Sequence, residues 1–232
     1  YYVGMNVSQR PFDDPRVRRA LALATDREAF AGILFQGHNI PATGGFVPPD
    51  LPGHSPGIGL PYDPVQARRL LAEAGYPDGH SFPVVEAHGM KGHVRPIDFL
   101  RQQWLDNLGI EVKWVILDRL AFLDLNKSLM HMFMTGWMAD YPDPDSFLRV
   151  GLQDIRSTWQ NATYEKLVTQ AGQVTDQQER MQLYRQADQI LIQEAAVIPL
   201  AYVREHRLRK PWLTVPYRNR DVHTKDIIIW PH

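Results

Sequence analysis

A three-layer α/β fold around a mainly parallel sheet is what this sequence predicts, and three observations carry the prediction. Short apolar runs rich in strand-forming residues alternate with helical patterns along most of the 232 residues. Residues 82–87, 95–108 and 110–116 read as a strand–helix–strand unit with short connections, which requires a parallel pair and a right-handed crossover. Strands that keep alternating with helices stack helices on both faces of one sheet.

The elements follow in order. Residues 1–6 read as a strand. Asp14-Pro15 is an N-cap with proline at the first helical position, and Val17, Ala20, Leu21 and Ala24 supply the apolar stripe. Thr25 to Glu28 reads as a capping box for a second helix that runs to about Phe35. Residues 38–62 are irregular, with six prolines and five glycines. Such a segment is either a ligand lid or a loop pinned over the core by Ile40, Phe46 and Leu51. Asp63-Pro64 starts a third helix with Ala67, Leu70, Leu71 and Ala74 inward, and Gly75 stops it. After the strand–helix–strand unit, Asp118 caps a helix and residues 129–135 form a further strand. Helices are expected at about 164–173 and 176–194, the second opened by a Thr175/Gln178 box. Residues 197–203 form a strand whose internal Pro199 places it near a sheet edge or a crossing. Beyond Arg204 comes a basic, proline-punctuated tail ending in an apolar stretch at 227–230.

Composition excludes several classes of function. A net charge of −1 argues against a nucleic-acid surface. The absence of cysteine excludes thiol catalysis, disulfides and cysteine-ligated metals. His88 and His93, with four residues between them, lack a third ligand, so no metal and no cofactor is expected.

The chemistry concentrates after the 129–135 strand, where Gly136 and Trp137 end the run and Asp140, Asp143 and Asp145 alternate with Pro142 and Pro144. The two prolines are expected to hold the backbone extended and stiff. In an α/β protein a strand end of this kind is where ligands are met. Asp143 or Asp145 would serve as N-cap of a helix starting at Ser146, whereas the prolines separate Asp140 from any helix start. A calcium loop would need alternating acids, a central glycine and a terminal glutamate, which are not here. A carboxylate pair for acid–base work has no histidine or serine nucleophile placed beside it.

Three ordered stretches resemble the extracellular solute-binding proteins of peptide and nickel ABC importers, family 5. They are Gly136-Trp-x-Ala-Asp-Tyr-x-Asp-Pro144, the stretch from Pro11 to Arg27 preceded by Asn6, and the stretch from Tyr62 to Gly79. The resemblance implies a periplasmic-binding-protein-like lobe and a chain that is a fragment of a protein about twice as long. Residues 1–206 would form the second ligand-binding lobe with hinge strands at 1–6 and about 200–205, and residues 207–232 would belong to the otherwise missing first lobe. In that arrangement the 227–230 strand lacks its natural sheet.

The implied function is capture of di- or oligopeptides between two lobes and delivery to a membrane permease, with no catalytic residues and no chemistry on the ligand. Asp140 would neutralise the ligand's α-amino group. The backbone of Gly136, Trp137, Met138 and Ala139 would pair with an extended peptide, and Trp137 and Tyr141 would wall the pocket. In dipeptide-binding members an arginine near the 88–93 loop holds the ligand carboxylate. Here Lys91 and Arg95 are neighbours of that spot, and Met134 stands where oligopeptide-binding relatives place a basic residue. The place implied is extracytoplasmic, with a lipid anchor on the full-length protein.

The alternatives are a carboxylate-dependent hydrolase using Asp140 with Asp143 or Asp145, a receptor for a nickel chelate, opine or oligosaccharide, and an interaction module that kept the fold but lost the pocket. Trp104 and Trp114 read as core, and Arg18, Arg19, Arg68 and Arg69 as solvent-facing.

Overall fold

Five strands form the central sheet, and the chain visits them in an order that opens a crevice at one end. The computed structural model describes residues 1–79, 81–125, 130–153, 158–206, 208, 210–214 and 227–229. In chain order the elements begin with β1 (Tyr2–Met5), α1 (Pro15–Leu23), α2 (Arg27–Phe35), β2 (Ile40–Pro41), α3 (Pro64–Glu73) and β3 (Val85–Met90). They continue with α4 (Val94–Leu108), β4 (Val112–Leu117), α5 (Arg119–Asp124) and β5 (Met132–Thr135). The last are α6 (Ala162–Ala171), α7 (Gln177–Gln193), β6 (Val197–Pro199), β7 (Ala201–Tyr202), β8 (Leu213–Thr214) and β9 (Ile228–Ile229).

The sheet order is β4-β3-β5-β1-β6. β3 pairs in parallel with both β4 and β5, while β1 runs antiparallel to β5 and β6. Four of the five strands therefore share one direction, and β1 alone opposes them. Side chains alternate between the faces, as the two-residue period of a strand requires. Val3, Met5, Val85, Ala87, Met132 and Met134 join one core, with α1, α3 and α4 packed on it. Tyr2, Met90, Phe133 and Val197 join the other, under α5, α6 and α7. This is the expected three-layer arrangement.

Helix starts follow local chemistry. Asp14, Asp63 and Asp118 cap α1, α3 and α5, their side chains accepting from the Arg16, Gln66 and Ala121 amides. Two expected caps lie one residue off. Asp26, not Thr25, caps α2, and Asp176, not Thr175, caps α7. The Thr25 hydroxyl instead donates to the Leu21 carbonyl and accepts from Trp104 Nε1, inside the core.

Other corrections concern burial and register. Arg18 does not face solvent: its buried guanidinium donates to the Phe12 and Glu194 carbonyls. Arg19 is half-buried, whereas Arg68 and Arg69 are exposed as expected. Trp104 is fully buried and Trp114 partly so. The 82–87 strand begins three residues later, at Val85, and the 110–116 strand at Val112. The 197–203 run is two strands, because the chain leaves the central sheet at Leu200 and β7 pairs with β2 instead. The start of the 129–135 run lies outside the described residues, as does most of the tail. Within the tail β9 pairs with β8, so Ile228 and Ile229 have a ladder of their own.

Candidate functional site

The connections out of β3 and β5 leave for opposite faces of the sheet. α4, which follows β3, packs in the first core, and the segment after β5 runs into the second through Phe147 and Leu148. Adjacent parallel strands whose connections diverge form a topological switch point, where the strand ends stand open. The ladders show the opening. β3 stays paired with β4 from Val85 to Met90, but its pairing with β5 covers only Ala87 with Met132 and His88 with Phe133. Beyond His88 the two strands part. Lys91 emerges on one side of the gap and Gly136 on the other.

The segment after β5 divides into two unlike halves. In residues 136–139 no backbone N–H or C=O bonds to another described residue, and Gly136 and Met138 are exposed. Trp137 is half-buried, anchored on Gly151, where an added Cβ would stand 2.8 Å from Trp137 Cδ1. Ala139 packs against the second core. Asp140 is exposed, and its carboxylate has no hydrogen bond or ion pair among the described residues. Its amide is fixed, donating to Oγ of the fully buried Ser146 at 3.0 Å.

From Tyr141 to Arg149 the phenol, the two carboxylates and the guanidinium all have partners. Asp143 receives a two-pronged guanidinium from Arg180 on α7, at 2.6 and 2.8 Å, and accepts the Asp145 amide at 2.9 Å. Asp145 is buried and accepts from Arg149, Tyr141 and Tyr184. Burial alone would raise its pKa, but the hydrogen bonds from Arg149 and Tyr141 outweigh that and lower it. Burial, then the Asp145 bond, push the Tyr141 phenol up to about 12, so it stays a neutral donor. These contacts correct two expectations. The prolines do not hold the loop extended: it folds into consecutive turns, with Asp143 N–H bonding the Tyr141 carbonyl and Ser146 N–H the Asp143 carbonyl. Asp145 makes no side-chain cap to the π-helical turn Ser146–Val150, whereas the Asp143 carboxylate does accept the Asp145 amide at the entrance to that turn.

The irregular 38–62 segment braces this stiff half, so the pinned-loop reading holds. Phe46 is buried and meets Phe147 edge-on, and Gly53 lies against the Pro144 ring. Its anchor is a buried carboxylate, Asp188 of α7, which accepts the Phe46 amide at 2.7 Å. Residue 45 must be glycine, since a Cβ there would lie 1.8 Å from Asp188 Oδ2. Among the described residues no cation pairs with Asp188, and burial raises its pKa to about 7.

On the far side of the crevice is a cleft of about 370 Å³. Tyr1, Leu34 and Phe35 line one wall, and Lys91, His93 and Arg95 the other. Tyr1 stacks on Phe35 with centroids 5.4 Å apart and meets His93 edge-on. A Cβ on Gly136 would lie 3.6 Å from the Tyr1 ring, so Tyr1 divides the cleft from the 136–140 segment. Lys91 and Arg95 are exposed, and neither has an ion pair among the described residues. His88 sits apart, 3.4 Å from Glu86, so the 88–93 loop does not bring its two histidines together. Among the described residues no group of three or more histidines and carboxylates is arranged to hold a metal.

The structure thus brings Gly136, Trp137, Met138, Ala139 and Asp140 to one side of the crevice and Lys91 to the other. Tyr141 turns its hydroxyl into the Asp145 network. Sequence reasoning missed Ser146, Arg180, Tyr184 and Asp188. Only Asp145 with Arg149 carried a sequence signal, the four-residue spacing of a helical ion pair.

Comparison with known proteins agrees with this geometry. The profile described as bacterial extracellular solute-binding proteins, family 5 Middle, matches residues 1–157. The glutathione-binding protein GsiB of Escherichia coli K12 is 36% identical over 213 residues, covering 86% of this chain and 41% of that protein. The structure of the E. coli murein tripeptide binding protein MppA superposes with a TM-score of 0.85 at 26% identity, over 100% of this chain and 48% of that one. A dipeptide binding protein from Pseudoalteromonas sp. SM9913, in complex with Met-Leu, matches with a TM-score of 0.77 at 26% identity, over 87% of this chain and 42% of its own. The chain spans somewhat less than half the length of these relatives.

Proposed function

The chain belongs to the bacterial extracellular solute-binding proteins of family 5, and from that premise we propose that it is one lobe of a peptide receptor serving an ABC importer. Residues 1–206 supply this lobe, and residues 207–232 return to a partner lobe of the same receptor. The receptor acts outside the cytoplasmic membrane, carried by a lipid anchor, and hands its ligand to a membrane permease without altering it. Among the described residues no helix is long and apolar enough to cross a membrane.

The observation that carries the reading is the free carboxylate of Asp140 on a fixed backbone at the switch point. An ammonium drawn into a closing crevice loses its water and needs a negative partner there. Asp140 supplies one whose backbone is already immobile, so little freedom is lost on pairing. The unpaired backbone of residues 136–139 offers an extended peptide hydrogen bonds that read no side chain. Trp137 and Met138 border that track, Tyr141 closes its far end, and Lys91, across the crevice, serves as the cation for the ligand's carboxylate. The hydrolytic alternative is disfavoured by the same contacts. Asp143 and Asp145, the carboxylates that would pair with Asp140, are each occupied by a guanidinium.

Relatives described as binding a tripeptide, a dipeptide or glutathione support a short peptide as ligand. The test is the small-molecule content of the full-length receptor, purified natively and then denatured, read by mass spectrometry. Peptides of two to a few residues are expected. A nickel chelate, an opine or a sugar as sole ligand would overturn the assignment.

A further inference from the structure

The crevice is not balanced in charge, and the imbalance bears on which peptides it takes. Among the described residues one anion on the β5 side has no partner, Asp140. On the β3 side two cations have none among the described residues, Lys91 and Arg95, both lining the cleft beside Tyr1. The same cleft holds two further polar groups without partners among the described residues, the Tyr1 hydroxyl and the buried Nδ1 of His93. Its floor is apolar and rigid, since Tyr1 stacks on Phe35 and both pack on the first core.

An aromatic slot with two cations and neutral hydrogen-bonding groups at its rim fits a carboxylate carried on a short apolar stem. One cation is enough for a peptide's terminal carboxylate. The second has no counterpart in a peptide of neutral side chains, and it would be left unpaired as the crevice closes over it. Resting on the peptide reading above, we infer that this site selects acidic peptides, ligands with one ammonium and two carboxylates, and that Arg95 reads the second carboxylate while Lys91 meets the terminal one. Arg95 presents a planar fork suited to a carboxylate, and Lys91 a compact charge on a flexible stem. A buried charge left without a partner by the wrong ligand is a strong source of discrimination.

The experiment is calorimetric titration of the full-length receptor with isosteric peptide pairs: Ala-Glu-Ala against Ala-Gln-Ala, and Ala-Ala-Glu against Ala-Ala-Gln. At least one Glu peptide is expected to bind about tenfold more tightly or better than its Gln partner, a difference of about 1.4 kcal/mol. The Arg95→Gln variant should lose that preference and keep its affinity for the Gln peptides within about threefold. The Arg95 side chain is exposed, so the variant's melting temperature should match the wild type. Equal affinity within each pair overturns the inference and leaves the peptide reading standing. A preference that survives in Arg95→Gln overturns the assignment of Arg95. Failure of all four peptides to bind overturns the peptide reading itself.

Discussion

Two parts of one fifteen-residue segment, 136–140 and 141–150, meet opposite fates although both are rich in polar groups. In the second half each carboxylate is matched: Asp143 to Arg180, Asp145 to Arg149 and two tyrosines. In the first, the backbone of residues 136–139 and the carboxylate of Asp140 lack partners among the described residues. The stiff half is what permits the open one. Ser146, fully buried at the junction, transmits the rigidity through a single hydrogen bond to the Asp140 amide. Under the proposed function, the lesson is that a binding surface lies where polar groups are held in place yet left unsatisfied, while a saturated cluster nearby does the holding.

That contrast is broken most severely by removing the centre of the saturated cluster. Asp145→Ala strips the buried acceptor from Arg149, Tyr141 and Tyr184 and should cost about 3 kcal/mol, near the low end for a broken buried pair because Arg149 is half-exposed. Thermal unfolding should show a fall of roughly 6–12 °C, given about 2–4 °C per kcal/mol in a domain of this size. A change within 1 or so °C would mean that the second half does not hold the loop (roughly the scatter of a surface substitution).

A smaller effect sharpens the comparison through a third carboxylate. Asp145 is buried with a cation and titrates low, whereas Asp188 is buried without one and titrates at about 7. A folded pKa raised above the unfolded value means that the stabilisation is complete below about pH 4 and is lost as pH rises through 7. Between pH 5 and pH 8 the wild type should therefore lose on the order of 2 kcal/mol more than Asp188→Asn in urea unfolding. His88 and His93 are lowered by burial and act in the opposite sense over that range, but they are common to both proteins and cancel. Parallel pH profiles for the two proteins would show that Asp188 is ionised throughout and that its seat under residues 45–46 is not what it appears from the geometry.

Much of the fold was readable in the sequence. The Asp-Pro helix starts and the period-two strands placed the layers correctly, because local propensity, capping and burial all agree there. The two misplaced caps share one cause. Thr25 and Thr175 each precede an aspartate, and both residue types cap well, so sequence alone does not say which is used. Packing decides: Thr25 is drawn into the core by Trp104, which leaves Asp26 the cap. Arg18 was misread because a guanidinium can be buried when backbone carbonyls surround it, and those come from Phe12 and from the distant Glu194. In the site, Asp140 was distinguishable from Asp143 and Asp145 by its distance from any helix start. Asp145 is held by its neighbours Tyr141 and Arg149, but the contacts that lock Asp143, and one of those on Asp145, come from α7, some forty residues on, and nothing in the local sequence announces Arg180 or Tyr184.

The central claim is that Asp140 is the anchor for a ligand ammonium, and the full-length receptor tests it most directly by calorimetry with one peptide in two forms, free and N-acetylated. For the free amine, Asp140→Ala should lose about 2–5 kcal/mol of binding, roughly thirty- to several-thousand-fold in affinity, with an unchanged melting temperature. The wild type should bind the acetylated form as weakly as Asp140→Ala binds the free one. Equal binding of both forms by the wild type would contradict the account, because the carboxylate at the end of β5 would then have no ammonium to meet.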